Sequence, residues 1–274
     1  MLMSKMTRYG RMLRAIASAT YKEWAAYRTH SMVSILVGPI YYLVQYFIWN
    51  AVYNEGQTIG GLSLEAMLTY AGVTAVIGYL TMDFADWNLQ MLIHTGKYLT
   101  FALRPIHHRY FAFCQKIGHR VLGFLFEFVP VFLIFALVFR VNMMPAQAPW
   151  AALSIGLAYL MNFYVNYCIG LTGFWLTKTG GLRGVIYLLK SFCSGALIPL
   201  TLFPDAVGRV LFLMPFQFMT YVPARVYTGT YELAGRAYSI PNIVAIQAIY
   251  VLLLIALSEC LYRVGVKRFT GVGA

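Results

Sequence analysis

Two aspartates stand three positions apart in an otherwise apolar stretch of the sequence. Asp83 and Asp86 would share one face of a helix, because residues with this separation are neighbours on a helix surface. Such a carboxylate pair could coordinate a cation or act in a lipid-headgroup transferase. A water-exposed cytoplasmic vestibule, or a salt bridge to the basic residues that follow, explains the same pair, and we favour this second interpretation.

Four histidines lie together further along the chain, and imidazole is a common metal ligand. The residues are His94, His107, His108 and His119, whose spacings of 13, 1 and 11 match no metal-ligand pattern. Adjacent histidines also point in different directions on a helix or loop. We therefore expect no metal site, and we expect these side chains to contact solvent or lipid headgroups.

Two further charges, Glu127 and Lys190, fall inside long apolar runs. An unpaired charge buried in a membrane is costly, so each side chain should face protein or water rather than lipid. A structural ion pair and a polar contact along a translocation route or subunit interface are both open.

The sequence contains none of three common catalytic motifs. A phosphate-binding loop requires G-x-x-x-x-G-K-[ST], but Gly96 and Lys97 are followed by Tyr98, and position 91 is Met91. Neither a G-x-S-x-G elbow nor an H-E-x-x-H helix occurs. We expect a chain that is not an enzyme, with no catalytic residues and no cofactor of its own.

The composition indicates a membrane protein. Hydrophobic residues make up 60% of the 274 residues and charged residues only 11%, and the mean hydropathy is +0.67. A single soluble core cannot bury this much apolar surface, so lipid is an expected partner. The net charge of +12 could indicate a nucleic-acid binder, but the basic residues collect between alternate apolar runs. We expect no nucleic-acid partner.

Six apolar stretches predict an all-α polytopic membrane protein with six transmembrane helices, because a helix needs about 20 apolar residues to cross a bilayer. Residues 1–30 precede them as an amphipathic interfacial helix or as a merely basic flank, and residues 263–274 form a cytoplasmic tail. The predicted transmembrane domain covers residues 31–262, with spans at about 31–53, 66–93, 111–139, 150–177, 184–203 and 242–262.

The region between the fifth and sixth spans predicts an external re-entrant hairpin at residues 204–241. Its apolar block, Val210 to Val222, is too short to span a membrane and is interrupted by Pro215. The residues that mark the hairpin and its approach are Pro199, Pro204, Asp205, Pro215 and Phe216.

Basic residues define the predicted orientation. Six Lys or Arg lie at the amino terminus, five between residues 94 and 120, three between 178 and 190 and three after residue 262, together 17 of the 21. Cytoplasmic loops carry an excess of Lys and Arg, so both termini should be cytoplasmic. The four exceptions are Arg140, Arg209, Arg225 and Arg236.

Two segments resemble the permeases of type-2 ABC exporters. The run TGKYLTFALRPIHHRYFAFCQKIG, Thr95 to Gly118, resembles their cytoplasmic coupling element, and Ser194 to Gly229 is similar to their fifth span and external re-entrant hairpin. The resemblance implies that residues 94–110 couple to an ATPase subunit. The residues expected to carry this coupling are Gly96, Lys97, Leu99, Leu103, Arg104 and Pro105.

The resemblance extends over the six-span layout, with two departures. Lys97 and Tyr98 stand where better-known members often carry a Gly-Thr pair, and there is no large external domain. The implied protein is a multi-pass permease of the bacterial inner membrane. It would pair with an identical or related permease and with separate ABC ATPase subunits that hold ATP and Mg, and would move an apolar or amphipathic substrate out of the cytoplasm or inner leaflet.

Two other functions remain open. A proton- or ion-coupled secondary transporter would use midplane charges such as Glu127 and Lys190 as its coupling site. A membrane-embedded lipid transferase would use Asp83, Asp86 and the histidines. The identity of the substrate, the direction of transport and the choice between homodimer and heterodimer are also open.

Overall fold

The computed structural model describes residues 2–26, 35–176 and 179–269, most of which are helical. The α-helices are α1 (Leu2–Ala26), α2 (Val37–Val52), α3 (Leu64–Thr81), α4 (Ala85–His94), α5 (Tyr98–Ala102), α6 (His108–Gly123), α7 (Val129–Leu133), α8 (Ala148–Leu171), α9 (Gly180–Cys193), α10 (Asp205–Leu213), α11 (Tyr221–Thr228) and α12 (Ile240–Val266). Two antiparallel hairpins join β1 (Thr58–Ile59) to β2 (Leu62–Ser63) and β3 (Glu232–Leu233) to β4 (Arg236–Ala237), with Thr58 opposite Ser63 and Glu232 opposite Ala237.

Four helical segments of the described chain are long and apolar enough to cross a membrane, and they coincide with the second, third, fourth and sixth predicted spans. Helix α2 lies in the first predicted span and α9 overlaps the fifth, but they have only 16 and 14 residues. Residues 27–34, 177, 178 and 270–274, which include parts of the predicted first span, fourth span and tail, lie outside the described residues. The four segments are Leu64–His94, His108–Val138, Ala148–Phe174 and Ile240–Val266.

The second span is interrupted where a continuous helix was predicted. Helix α3 ends at Thr81 and α4 begins at Ala85. The Asp83 carboxylate accepts a hydrogen bond from the Ala85 N–H at 3.3 Å. This bond satisfies one of the amides that a helix start leaves without an intrahelical partner. The interruption therefore places Asp83 at the junction of two helices.

The third span contains two π-helical turns, Phe124–Phe128 and Ile134–Val138, on either side of α7. Pro130 lies in α7 and has no N–H to continue the ordinary hydrogen-bond pattern. Its ring also crowds the preceding turn, so a locally wider helix accommodates it. The helix of this span begins at His108, before the predicted start near residue 111.

The predicted bounds of the fifth span, 184–203, need correction. Helix α9 ends at Cys193, because Gly195 adopts a φ of +75°, a left-handed conformation that stops a helix. The peptide carbonyls after the turn are satisfied by side chains of neighbouring helices. The Tyr41 hydroxyl donates to Ala196 O at 2.7 Å, and the Tyr70 hydroxyl donates to Gly195 O at 2.6 Å.

Helix α1 packs along α6 in the same direction. Near the start of the contact, the Tyr110 hydroxyl donates to Tyr9 O at 2.7 Å. The helices are still close together at Gly118, where an added Cβ would overlap the backbone of Ala17. One side of α1 is partly or fully buried and the other is exposed. The buried side carries Leu13, Ile16, Ala17 and Thr20, and the exposed side carries Arg11, Arg14, Ser18 and Lys22.

The region between α9 and α12 folds into short helices that return toward the core. Helix α11 packs against α3 and α8, and Tyr221, Val222 and Ala224 are fully buried. The Tyr221 N–H donates to Ser194 O at 2.9 Å, which ties the start of α11 to the end of α9. This arrangement makes α11 part of the main core.

One buried amide joins three parts of the bundle. Gln247 of α12 has no exposed surface. Its Nε2 donates to Phe218 O at 2.9 Å and to Ser154 O at 3.0 Å, and its Oε1 accepts from the Ser154 hydroxyl at 2.8 Å.

We expect Gln247→Leu to lower the free energy of unfolding by about 1–3 kcal/mol, because it leaves buried polar groups without partners. Thermal unfolding in detergent, followed by tryptophan fluorescence, measures the change. Leu252→Ala on the exposed side of α12 is the matched control. A Gln247→Leu protein as stable as this control would contradict the prediction.

Candidate functional site

An ion pair between a buried carboxylate and a partly exposed guanidinium connects the second predicted span to the fifth. Asp86 on α4 has no exposed surface, and its Oδ2 lies 2.6 Å from Nε of Arg183 on α9. The Tyr187 hydroxyl, one turn further along α9, donates to the same oxygen at 3.3 Å. Asp86 is therefore engaged by α9 and not by the basic loop between the second and third spans.

The carbonyl groups at the end of α3 accept hydrogen bonds from two buried cations. Arg120 Nη1 donates to Tyr79 O at 2.6 Å. Lys116 Nζ donates to Tyr159 O at 2.8 Å and to Thr81 O at 3.4 Å. The last carbonyls of a helix have no intrahelical partner, so the interruption after Thr81 makes them available to these side chains.

Asp83 lies at the centre of this polar cluster. Its Oδ2 accepts from the Asn166 side-chain amide at 3.4 Å, and both Lys116 and Lys190 attract its negative charge. A carboxylate removed from water needs such partners, because isolated ions are costly to bury. Asp83 and Asp86 therefore share one region but have different partners.

Glu127 and Lys190 belong to different parts of the structure. Glu127 Oε2 lies 3.5 Å from Arg120 Nη1, and both side chains are buried. Lys190 lies on α9, where its ammonium group is 5.7 Å from the Tyr187 ring and is attracted by Asp83 and Asp86. The pairing that the sequence left open is thus Glu127 with Arg120.

Sequence reasoning counted Lys116 and Arg120 among the loop cations and missed their buried position. A signal was present, since Lys116, Arg120 and Glu127 are spaced by four and seven residues and so share one helix face. That spacing is typical of a polar stripe that faces protein. It does not reveal that the stripe meets the carbonyls at the end of α3.

The structure does not bring the four histidines together. The His108 ring nitrogen Nδ1 lies 3.2 Å from the Tyr167 hydroxyl, and His94 Nε2 lies 3.0 Å from Leu176 O. His119 Nδ1 is 2.7 Å from Arg120 Nη2, and the His107 ring packs on Tyr262. Within the described residues, no group of three or more His, Cys, Asp or Glu side chains could hold a metal ion.

The predicted coupling segment forms the short helix α5, which is anchored on one side. Gly96, with a φ of +70°, allows the tight turn out of α4. The buried Tyr98 hydroxyl donates to the Tyr262 hydroxyl at 2.9 Å, and its ring packs against Phe174. The opposite face of α5 is exposed.

That uncovered face carries the side chains singled out by the sequence. Leu103 is 82% exposed and Leu99 is 54% exposed. Exposed apolar side chains on a rigid support are typical of protein docking surfaces. Arg104 places its guanidinium carbon 4.3 Å from the centre of the Phe101 ring, and Lys97 and Pro105 are exposed beside it.

The residues predicted to mark the hairpin lie at the ends of short helices. Pro199 and Pro204 immediately precede the turn Leu200–Leu202 and helix α10. Asp205 is the first residue of α10, where its charge favours the helix dipole. Pro215 opens the 3₁₀ turn Pro215–Met219, and the partly buried Phe216 packs against the core.

Comparison with protein families supports the resemblance drawn from the two sequence segments. The sequence model of one family, described as ABC-2 family transporter protein, matches residues 40–273. No curated protein matches the chain.

We expect Arg183→Gln to lower the free energy of unfolding by about 1–3 kcal/mol, because the buried Asp86 carboxylate loses its cation. This is less than for a fully buried pair, since the Arg183 side chain is 31% exposed. The double variant Asp86→Asn, Arg183→Gln should regain part of the loss. Thermal unfolding in detergent measures both variants.

The matched control is Arg263→Gln, which removes an exposed guanidinium that pairs with Glu259 one turn away on the same helix. It should change the free energy of unfolding by about 0.5 kcal/mol or less. An Arg183→Gln effect no larger than the control, or a double variant less stable than both single variants, would refute the role assigned to the pair.

Proposed function

The chain belongs to the ABC-2 family of transporter proteins, and from this membership we propose that it is the transmembrane subunit of an ABC exporter. Two such subunits, identical or related, would assemble with two separate ATPase subunits that hold ATP and Mg. The exported substrate would be apolar or amphipathic and would leave the cytoplasm or the inner leaflet. The chain itself would hydrolyse nothing, which agrees with the lack of a phosphate-binding loop in its sequence.

The observation that carries this proposal is the exposed face of α5. The helix is short, is fixed by Tyr98 and presents Leu99 and Leu103 to the surroundings. It lies between α4 and α6, so a force on α5 reaches the second and third spans directly. Closure of an ATPase dimer could thereby tilt these spans, a hinge or shear movement between two packings.

The proposed topology has six spans, with both termini in the cytoplasm of a bacterium and the protein in its inner membrane. Helices α2 and α9 would complete the first and fifth spans. The distribution of basic residues supports the orientation. The short helices α10 and α11 support an external re-entrant hairpin, because irregular backbone at membrane depth is tolerated where protein buries it.

The apolar face of α9 supports a second permease subunit in the assembly. Among the described residues, no residue of α9 itself is fully buried. Its polar side, with Arg183 and Lys190, faces the Asp83 and Asp86 region. Its other side would face lipid or a partner copy across a transport route. The exposed apolar side chains are Leu182, Val185, Leu188, Leu189 and Phe192.

A second candidate function rests on the buried charges. Lys116 is buried, Asp83 and Lys190 are partly buried, and both lysines attract the Asp83 charge; an ion-coupled secondary transporter would use such a group as its coupling site. This alternative does not account for the anchored and exposed α5. A lipid transferase is less well supported, because Asp86 is engaged by Arg183.

We expect Leu103→Asp to weaken binding of the ATPase subunit about 30-fold, on the scale of a typical hot-spot residue, because a carboxylate would be buried unpaired in the docking groove. Leu99→Asp should act in the same way. Co-purification of the ATPase and substrate-stimulated ATP hydrolysis are the measurements. The matched control is Ala206→Asp on α10, which is also exposed and lies in the proposed external loop.

Full partner binding and full stimulation in both α5 variants would show that α5 does not couple the ATPase. The secondary-transporter function would then be favoured. A control variant as defective as the α5 variants would indicate a general folding fault and would equally count against the assignment.

We expect a cysteine at position 237 to face the outside of the cell. Ala237 is exposed in β4, so Ala237→Cys in a background lacking Cys114, Cys168, Cys193 and Cys260 should react with an impermeant thiol reagent in intact cells. Thr100→Cys on the exposed face of α5 should react only after the membrane is opened. The reverse pattern would invert the proposed topology.

A further inference from the structure

A cavity of about 730 Å³ opens between α1, the interrupted second span, α5 and the beginning of α6. We call it the α1 cavity. Small-molecule sites typically have volumes of about 300–1,000 Å³ and combine apolar walls with a few polar groups. The α1 cavity has this composition. Its apolar walls are formed by Met82, Phe84, Trp87, Met91, Phe101 and Phe111.

Several of the ionisable side chains in the wall already have partners. Lys116 Nζ donates to two peptide carbonyls and lies 4.0 Å from the centre of the Tyr159 ring. Asp83 accepts from the Ala85 N–H and the Asn166 amide, and His119 is bonded to Arg120. These side chains are occupied in holding the bundle together and are poor candidates for ligand contacts.

Two charged groups in the wall remain available. Arg104 contributes to the cavity from the segment just after α5, and Glu23 contributes from α1. Within the described residues, neither has an oppositely charged atom within 4.0 Å. Arg104 is held at 4.3 Å from the Phe101 ring and 5.6 Å from the Phe111 ring, which orients its guanidinium while leaving its N–H groups free to bind an anion.

The two available charges have opposite signs and belong to different walls of one cavity. A ligand that carries both an anion and a cation can satisfy them together. A phosphate suits the fork of the Arg104 guanidinium, and a primary ammonium can donate hydrogen bonds to the Glu23 carboxylate. The ligand must also have an apolar part, since aromatic and methionine side chains form much of the remaining wall.

The apolar wall continues onto an exposed surface of the second span. Trp87 and Met91 of α4 line the cavity and are also exposed, and tryptophan is enriched at the level of lipid headgroups. A whole membrane lipid is larger than the ligands such a volume encloses, so the headgroup would fill the cavity and the acyl chains would follow α4 into the bilayer.

We infer that the α1 cavity binds a zwitterionic amine phospholipid, with its phosphate at Arg104 and its ammonium group at Glu23. In the proposed orientation this lipid belongs to the inner leaflet. The binding does not depend on the proposed transport function, because every contributing residue lies in this chain. A bound lipid would bridge α1 and α5, and so would hold the amino-terminal helix to the segment proposed to receive the ATPase.

The test is lipid binding to the purified full-length chain, without ATPase, measured by native mass spectrometry. Phosphatidylethanolamine, phosphatidylcholine and phosphatidylglycerol are titrated separately. Phosphatidylethanolamine should bind most tightly, because it alone among the three combines a phosphate with a primary ammonium group. Glu23→Gln should weaken its binding about tenfold, the scale of one charge-assisted hydrogen bond. Phosphatidylcholine should lose less, because its quaternary ammonium has no N–H to donate, and phosphatidylglycerol, which has no cation, should not be weakened.

Arg104→Gln should weaken all three lipids about tenfold, since each carries a phosphate. Ala112→Phe, which fills the cavity without changing its charge, should also weaken all three. Arg209→Gln and Glu232→Gln remove exposed charges outside the cavity and should change nothing. Equal helical content and a single size-exclusion peak are required of every variant.

Phosphatidylglycerol binding at least as tight as phosphatidylethanolamine binding, or a Glu23→Gln variant with unchanged phosphatidylethanolamine affinity, would overturn the zwitterionic assignment. Unchanged binding in Arg104→Gln or in Ala112→Phe would overturn the cavity as the site. Full ATPase binding in the Leu103→Asp experiment, which would overturn the proposed coupling role, would leave these lipid measurements unaffected, so the two proposals can fail separately.

Discussion

Charges buried in an apolar bundle must find partners inside the protein, and in this chain they find them where the second span is interrupted. The end of α3 leaves peptide carbonyls without intrahelical donors, and Arg120 and Lys116 donate to Tyr79 O and Thr81 O. The carbonyls at the end of α3 thereby gain hydrogen-bond donors, and the two buried cations gain acceptors. A continuous helix at this position would leave both cations with fewer partners.

The same interruption precedes the helices that would transmit movement in the proposed exporter. Helix α4 begins at the break, carries Asp86 near its start and leads through Gly96 into α5. Asp86 is bonded to Arg183 and Tyr187 of α9, the helix whose apolar face is proposed to meet a partner or lipid. A displacement of α5 would thus reach α9 through the short helix α4 and the ion pair between Asp86 and Arg183.

A lipid bound in the α1 cavity, as proposed, would contact the same elements. The walls of the cavity include the linker at the break, the end of α5 and the flank of α6 that receives α1. The cluster at the break uses Lys116, Asp83 and His119 internally, and among the charged side chains of the described wall Arg104 and Glu23 are left for a ligand. A site for a zwitterionic phospholipid therefore follows from how the buried charges are paired elsewhere.

The sequence alone established the class of protein and its family, because both depend on local composition and short motifs. The apolar excess indicated a helical membrane protein, and the segments Thr95 to Gly118 and Ser194 to Gly229 indicated an ABC exporter permease; the family match over residues 40–273 confirms the family. The two faces of α1 were also predictable from periodicity. The count of six spans stays a prediction.

The tertiary structure decided which charges pair, because the sequence offered each charge several candidate partners and only the packing of the helices selects among them. Glu127 meets Arg120 rather than Lys190, and Asp86 meets Arg183. Sequence spacing shows which residues share a helix face, but not which neighbouring helix that face contacts. The end of α9 at Cys193 was likewise hidden, since Tyr41 and Tyr70, from two other helices, satisfy the carbonyls of the non-helical turn that follows.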